Sequence, residues 1–380
     1  MADPTFDQIS SATLADLKDD IVYDEFFVDG SLQRKLRASG ALDEYLGGTI
    51  MQTPFMFNRV SGGAIAPGSD ITIVQRPILA ATAFVPKEYV EQVPLNLWQT
   101  NVINAGPAAK VKLTDLYMTN AVQALNTDLG IDIYRHGQAS SAGYISDNRS
   151  IYINGASEAM NDGVTNSWDG NVFQYYGGQL RNGVIGNVLN SIPIWLGDAL
   201  GATGQIAYKP VLEAYLNCVQ PPDIGVCNKA LWAYLAERQE PKQQFVQEKD
   251  ITIGMTGLKI MDAYIHVDKL CPSTKYGAII PSGLSQTTAV LPTTFTSAGT
   301  PSSISNLPAT QTIYPGEILF FFRCAGWKIR PTPDEEYNFN FTPPVRSQNN
   351  PDLIVMFLKC GINFYTPSPR DNVHLYGAGF

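Results

Sequence analysis

The 380-residue sequence predicts an α+β fold built from a projecting hairpin, one long helix and several long strands, and three features of its pattern predict it. Residues 51 to 78 read as two apolar runs around a tip rich in Gly, Pro and Ser, the signature of a wide hairpin. Residues 114 to 135 carry apolar side chains at helical spacing. Two shorter amphipathic helices and three strand-like runs then follow without the regular alternation of a βαβ fold.

The elements follow in order. The first 45 residues hold ten acids (Asp3, Asp7, Asp16, Asp19, Asp20, Asp24, Glu25, Asp29, Asp43, Glu44) against Lys18, Arg34, Lys35 and Arg37. That balance of −6, out of −9 for the whole chain, reads as an acidic arm before the fold begins. Met51 to Val60 is the first hairpin strand and Asp70 to Arg76, with Ile71, Ile73 and Val74, the second. A two-stranded ribbon is marginal alone in water, so this one is expected to lie on something else. Ala80 to Leu97 continues as an extended segment, and Pro86 and Pro94 place part of it at a sheet edge.

The long helix opens at a Thr114 cap and closes at Gly137, with Leu116, Tyr117, Ala121, Ala124 and Leu125 on one face and Gly130 as a soft point. Gly-rich aromatic loops fill 137 to 204. Helices are expected over Pro210 to Val219 and Asn228 to Gln239, and strands over Leu258 to Val267, Glu317 to Arg330 and Leu353 to Tyr365. From Tyr276 to Gly316 there is no charged residue, and fourteen of residues 282–312 are Ser or Thr. Such a stretch is either a polar loop or a surface that meets neighbouring subunits.

Composition narrows the function. Hydrophobic residues at 44% can build a real core, while only 16% of residues are charged and the chain carries 32 glycines and 25 prolines. A large, weakly charged surface fits an obligate oligomer. A net charge of −9 argues against an electrostatic grip on nucleic acid. No leader pattern and no apolar window of roughly 18 residues stands in the sequence, so the expectation is a protein kept in a cytoplasm with no membrane partner. The five cysteines (Cys218, Cys227, Cys271, Cys324, Cys360) are odd in number and read as buried thiols.

The search for chemistry finds no site. His136, His266 and His374 lie far apart, with no second ligand at metal spacing. There is no nucleophile elbow, no phosphate loop and no dinucleotide fingerprint, and the acid pairs Asp19-Asp20 and Glu335-Glu336 read as solvated surface. The expectation is no catalytic residue, no cofactor and no metal.

Three segments carry a resemblance. The first is ITIVQRPILAATAFVPKEYVEQVPLN with LWQTNVINAGPAAKVKLTDLYMTNAVQALNTDLGIDIYRHG (71–137). The second is PDIGVCNKALWAYLAERQEP (222–241), and the third is ILFFFRCAGWKIRP (318–331) with PDLIVMFLKCGINFYTPSP (351–369). In this order, after an acidic arm and a hairpin, they resemble the major capsid proteins of tailed bacteriophages with the Johnson fold, which encapsulins share.

That resemblance implies an N-terminal arm (1–47), an extended loop (48–80), a peripheral domain with a spine helix (81–165 and 325–366) and an axial domain (166–324 and 367–380). It implies a structural subunit, not an enzyme, that self-assembles through pentamers and hexamers into the icosahedral head shell. The shell would enclose double-stranded DNA without sequence-specific binding, in the virion, after assembly in the bacterial cytoplasm. Phe55, Phe57, Arg59, Ile71, Ile73 and Arg76 of the extended loop are then the inter-subunit contacts. Residues 51–86 contain no lysine, so the Lys–Asn cross-link of some members is not expected, and an arm of about 45 residues implies a separate scaffolding protein beside the portal. The alternatives are an encapsulin-type nanocompartment shell and, in a different class, a monomeric carbohydrate-binding protein suggested by the aromatic, Gly-rich stretch 168–195.

Overall fold

A computed structural model describes residues 30–43, 47–60, 64, 66, 75–97, 113–137, 151–195, 208–239, 258–272, 317–332, 338–346 and 350–378, without 166, 169–171, 184, 192 and 351. Most of the acidic arm and the uncharged stretch 276–316 lie outside the described residues.

Helix α1 (Ser31–Ala38) belongs to the folded body: Leu32 and Leu36, four residues apart, are fully buried, while Arg34 and Arg37 face out. Gly30 gives its N-terminus no side-chain cap, and a distant carboxylate does that work. Asp268 Oδ2 accepts the Leu32 N–H at 2.9 Å and the Tyr134 hydroxyl at 2.9 Å, while Asp268 Oδ1 takes the Leu270 N–H at 2.8 Å. One buried side chain thereby ties α1 to two other parts of the chain.

Strands β1 (Met51–Met56) and β2 (Leu79–Phe84) form an antiparallel ribbon with Met51 opposite Phe84 and Met56 opposite Leu79. The partner of β1 is thus Leu79–Phe84, and most of the expected second strand, Asp70 to Arg76, lies outside the described residues. After a break at Val85 and Pro86 the chain enters β3 (Lys87–Asn96), which pairs along its whole length with the later strand β14. As expected, β3 is an edge, and Pro94 sits where its missing N–H costs no ladder bond.

Helix α2 (Leu113–Asp132) is buried on one face at Ala121, Ala124 and Leu125, but from Thr127 to Gly137 every residue is buried. The carbonyls of the buried turn that follows it would be orphaned in the interior, and another segment supplies their donors. The Ala156 N–H reaches Ile133 O at 2.7 Å, the Ser157 N–H reaches Arg135 O at 3.3 Å and the Trp168 indole reaches Tyr134 O at 3.2 Å. The approach is so close that a Cβ on Gly155 would stand 2.3 Å from Arg135 O and 2.5 Å from Asp132 O. Gly130, expected as a soft point, is instead a contact: a Cβ there would meet Leu270 at 2.4 Å and Gln33 of α1 at 2.8 Å.

A small hairpin, β4 (Tyr175–Tyr176) and β5 (Gln179–Leu180), and the short strand β6 (Ile194–Trp195) follow. Helix α3 (Tyr208–Asn217) and helix α4 (Lys229–Gln239) match the sequence reading; strand β7 (Ile224–Cys227) lies between them, and Asn228 Oδ1 caps α4 at the Leu231 N–H, 2.9 Å away. Two expected single strands are each divided. Residues 258–267 turn at Met261 between β8 (Leu258–Ile260) and β9 (Ala263–Val267). Residues 317–330 break at a 3₁₀ turn, Cys324–Gly326, where the chain leaves β10 (Glu317–Phe322) for β11 (Lys328–Pro331) in a different sheet.

The remaining strands are β12 (Asn338–Phe341), β13 (Val345–Arg346), β14 (Leu353–Tyr365) and β15 (Val373–Ala378). Two sheets organise the body. In one, β14 is flanked by β3 on one side and by β11, β12 and β13 on the other; in the other the order is β6-β15-β10-β7-β9-β8. Strand β10 links the cores: Ile318, Phe320 and Phe322 enter the cluster shared with α2, while Leu319 and Phe321 enter the one under α3 and α4. Each fully buried Phe contributes on the order of 2–3 kcal/mol.

Replacing Gly155 by Ala is expected to cost several times the ~1 kcal/mol of an average substitution, because the added methyl collides with backbone carbonyls that cannot retreat. Chemical denaturation of the two proteins measures it, and equal midpoints would refute the described closure of α2.

Candidate assembly surface

The ribbon is rooted at its base. Met51 and Phe84 are buried, the Phe84 ring stacks on Tyr365 at 4.3 Å between centroids, and Thr53 Oγ1 lies 3.2 Å from the Tyr365 hydroxyl. The β4–β5 turn grips the outer edge of β2, with the Ala83 N–H on Gly177 O at 2.9 Å and Gln179 Nε2 on Ala81 O at 2.9 Å. Burial then falls outward along the strands until Met56 is 72% exposed and Leu79, its cross-strand partner, 62%.

Alternation decides which side chains a neighbour can touch. Phe55 and Phe57 face inward, half-buried against the subunit's own core, while the outer face presents Met56 and Leu79. Arg59 and Arg76 are exposed beyond the paired region, and Ile71 and Ile73 lie outside the described residues. Sequence reasoning missed the Met56–Leu79 pair, although counting alternate residues from a buried Met51 would have assigned it.

A strap from the acidic stretch closes a sheet edge nearby. Leu42 bridges Ile329 in parallel fashion, with the Asp43 N–H on Ile329 O at 3.0 Å and the Ile329 N–H on Ala41 O at 2.8 Å. Asp43 Oδ2 takes Lys328 Nζ at 2.8 Å and Arg330 at 2.6 Å, and these partners hold its carboxyl below the usual carboxylate range. Arg330 also lies over the Tyr365 ring, 5.8 Å from its centroid.

Behind the ribbon, the body is held by a buried polar network. Asn363 Nδ2 donates to Val85 O at 2.8 Å and to Asn154 Oδ1 at 2.9 Å, and Asn154 Nδ2 donates to both oxygens of Glu158 at 2.9 Å. Arg181, 0% exposed, donates to the carbonyls of Leu189, Glu158 and Ala159 and lies over Tyr176. Burial lowers its pKa to about 10. These groups lock loops that have almost no regular structure of their own.

The three histidines are buried among aromatic rings: His136 against Phe173, His266 against Tyr264 and His374 between Phe320 and Tyr376. No group of three His, Cys, Asp or Glu side chains that could hold a metal occurs among the described residues. Cys227, Cys271, Cys324 and Cys360 are buried free thiols, and Cys218 is half-buried. No described helix is long and apolar enough to cross a membrane.

Two predictions follow from the charges. Burial raises the Glu158 carboxyl above its ordinary value, partly offset by Asn154, His136, the Gly137 N–H and Arg181. The neutral form is favoured in the fold, so its contribution is complete below about pH 4 and lost as pH rises through the raised value. Glu158→Gln is therefore expected to gain thermal stability relative to the parent as pH rises; a constant difference across pH would refute this. For Asp43 the sign is opposite: its contribution holds above about pH 4 and fades as pH falls. Asp43→Asn at neutral pH should lower the amide protection factors at positions 43 and 329 to those the parent shows in acid. Unchanged protection would remove the ion pairs from the account of the strap.

No family model matches the chain, and no curated protein matches it. Solved structures do. The cyanophage A-1(L) capsid aligns over 94% of this chain and 95% of its own at 10% identity, with a TM-score of 0.59. The capsid of an empty GTA particle aligns over 94% and 99% at 9% identity, TM-score 0.51. The SrpI encapsulin of Synechococcus elongatus PCC 7942 aligns over 97% and 95% at 6% identity, TM-score 0.55. The chain thus has the mixed helix-and-sheet fold of phage capsid and encapsulin shell subunits.

Proposed function

We propose that this chain is the major capsid protein of a tailed bacteriophage, a structural subunit of the icosahedral head that encloses double-stranded DNA. The observation that carries the reading is the end-to-end correspondence with the cyanophage capsid chain, which leaves little of either chain over for another activity. A ribbon that ends in an exposed apolar pair on a charge-poor chain supports it, because such a pair is stabilised only against another molecule. In this reading 48–80 is the extended loop, 81–165 with 325–366 the peripheral domain, and 166–324 with 367–380 the axial domain. The arm is 1–47, of which α1 and the strap are packed on the body.

The partners are other copies in pentamers and hexamers, a portal, a separate scaffolding protein and the packaged DNA, which is held without sequence recognition. The correspondence with the SrpI encapsulin favours a second reading, a nanocompartment shell around protein cargo. The contents of particles purified from the native host separate the two, since one encloses DNA and the other an enzyme.

Electron microscopy of the purified chain, supplied with its scaffolding protein where assembly needs one, should show closed shells. A monomer of about 41.5 kDa under all such conditions would overturn the reading. Within it, Met56→Glu with Leu79→Glu should leave the thermal transition of the subunit unchanged and abolish shells, since each side chain is worth about 1.5–3 kcal/mol per buried contact. Normal shells from that variant would exclude the ribbon as a contact.

A further inference from the structure

The joint between the ribbon and the body hangs on a buried carboxyl. Val85 and Pro86 separate β2 from β3 and belong to neither ladder. Among the described residues the joint has one hydrogen bond, which Val85 O accepts from Asn363 Nδ2 at 2.8 Å. The same nitrogen donates to Asn154 Oδ1 at 2.9 Å, and Asn154 Nδ2 donates to both oxygens of Glu158. Two side-chain amides therefore connect Glu158, 1% exposed, to the backbone from which the ribbon projects.

Backbone groups set the polarity of this connection. Asn363 Oδ1 accepts the Asn154 N–H at 3.1 Å and the Phe364 N–H at 2.8 Å, so its nitrogen must face Val85 and Asn154. Asn154 must then turn its oxygen to Asn363 and its nitrogen to Glu158. The Gly137 N–H, 3.3 Å from Glu158 Oε2, is a further donor, so the carboxyl accepts every hydrogen bond it makes among the described residues. Burial raises its pKa, and Asn154, His136 after α2, the Gly137 N–H and Arg181 after β5 partly offset that rise. Lys87 of β3 and Tyr176 of β4 are the other titratable groups that feel its charge.

A proton on this carboxyl would create an O–H that faces donors alone. A buried donor without an acceptor is costly, and the acceptor within reach is Asn154 Oδ1, brought over by turning that amide end for end. The turned amide sets its nitrogen against Asn363 Nδ2, donor against donor. Asn363 cannot turn to match, because its oxygen holds two backbone N–H groups. Its nitrogen has to withdraw, and that nitrogen is the one that holds Val85 O. We propose that Glu158, acting through Asn154 and Asn363, is a proton-operated lock on the joint, closed while the carboxyl is ionised and loosened when it takes up a proton. The lock belongs to the single subunit, so it stands or falls independently of the shell reading.

The sequence itself supplies a reporter. Its Val-Pro steps are Val85-Pro86 at the joint and Val93-Pro94 within β3. The full-length subunit, isotope-labelled at valine carbonyls and proline nitrogens, gives one carbonyl–nitrogen resonance for each in an NMR experiment. As pH falls from neutral to about 4, the Val85 resonance is expected to move as its hydrogen bond is lost, while that of Val93 stays in place. Glu158→Gln, whose amide hydrogens face the same donors as the O–H, should hold the Val85 resonance at its acid position at every pH. That variant is expected to be no less stable than the parent at neutral pH, so a displaced Val85 beside an unmoved Val93 separates a loosened joint from a loosened fold. Lys87→Gln removes a positive neighbour of the carboxyl and should shift the midpoint to higher pH with the response intact. A Val85 resonance that ignores pH overturns the inference. A response that survives in Glu158→Gln assigns the sensing to another group, and one that disappears in Lys87→Gln assigns it to the charge pair; either result overturns the amide relay.

Discussion

Strand β14 is hydrogen-bonded on both sides, to β3 over ten residue pairs and to β11, β12 and β13 in succession. Its position fixes almost everything else. Strand β3 follows the ribbon by only two residues, so the ladder from Lys87–Ile362 to Asn96–Leu353 sets the angle at which the ribbon leaves the body. At the other end of β14, Tyr365 stacks on Phe84 at the ribbon's root and Phe364 stacks on Trp327 at 4.3 Å, where the chain crosses between sheets. A shift of one residue in this ladder would turn Met356, Leu358, Cys360 and Ile362 away from the core, so register is strongly specified.

The second sheet is joined to this frame through side chains, not through a shared ladder. Tyr134, just past α2, touches Phe320 of β10 at 5.3 Å and donates its hydroxyl to Asp268, which also caps α1. Asn372 plays a similar part at the crossover, accepting the Arg323 N–H at 2.9 Å and the Trp327 indole at 2.8 Å. Polar groups buried in this way are costly when left unsatisfied, so each constrains the distance between two elements more tightly than an apolar contact would. The result is a body in which the helix, both sheets and the first helix cannot shift independently.

The sequence made one layer of this legible. The length of α2, the helix that begins at Asn228, the edge role of β3 and the apolar run of β14 are local patterns, and local patterns are what periodicity rules read. The pairing of β1 with Leu79 to Phe84 was not legible, because the anchor that roots it, Phe84 on Tyr365, joins residues far apart in the sequence. The strand break at Cys324 was missed for a similar reason: the donor–acceptor pair that bends the chain there joins Cys324 to Asp223, 101 residues away. The buried network was invisible, since Asn154 and Asn363 stand 209 residues apart and neither has a local signature. Of the residues named from sequence, Phe55 and Phe57 turn to the body, while Arg59 and Arg76 are exposed beyond the paired region.

Exposed strand edges must be kept from pairing indiscriminately, and β3 and the ribbon solve this differently. Strand β3 presents Glu88, Glu91 and Pro94, charges and a missing donor that discourage a further strand. The ribbon cannot use charge along its length, because its outer face is apolar. It carries Pro54 opposite Ala81 instead, and the β4–β5 turn occupies the free edge of β2 at Ala83. What is left open is a short apolar pair, Met56 with Leu79. In the proposed shell a contact that small would be weak by itself, so copies would associate and separate until several contacts close at once. The stability of such a shell would come from the number of contacts each subunit makes, through effective concentration, and not from the strength of any one of them.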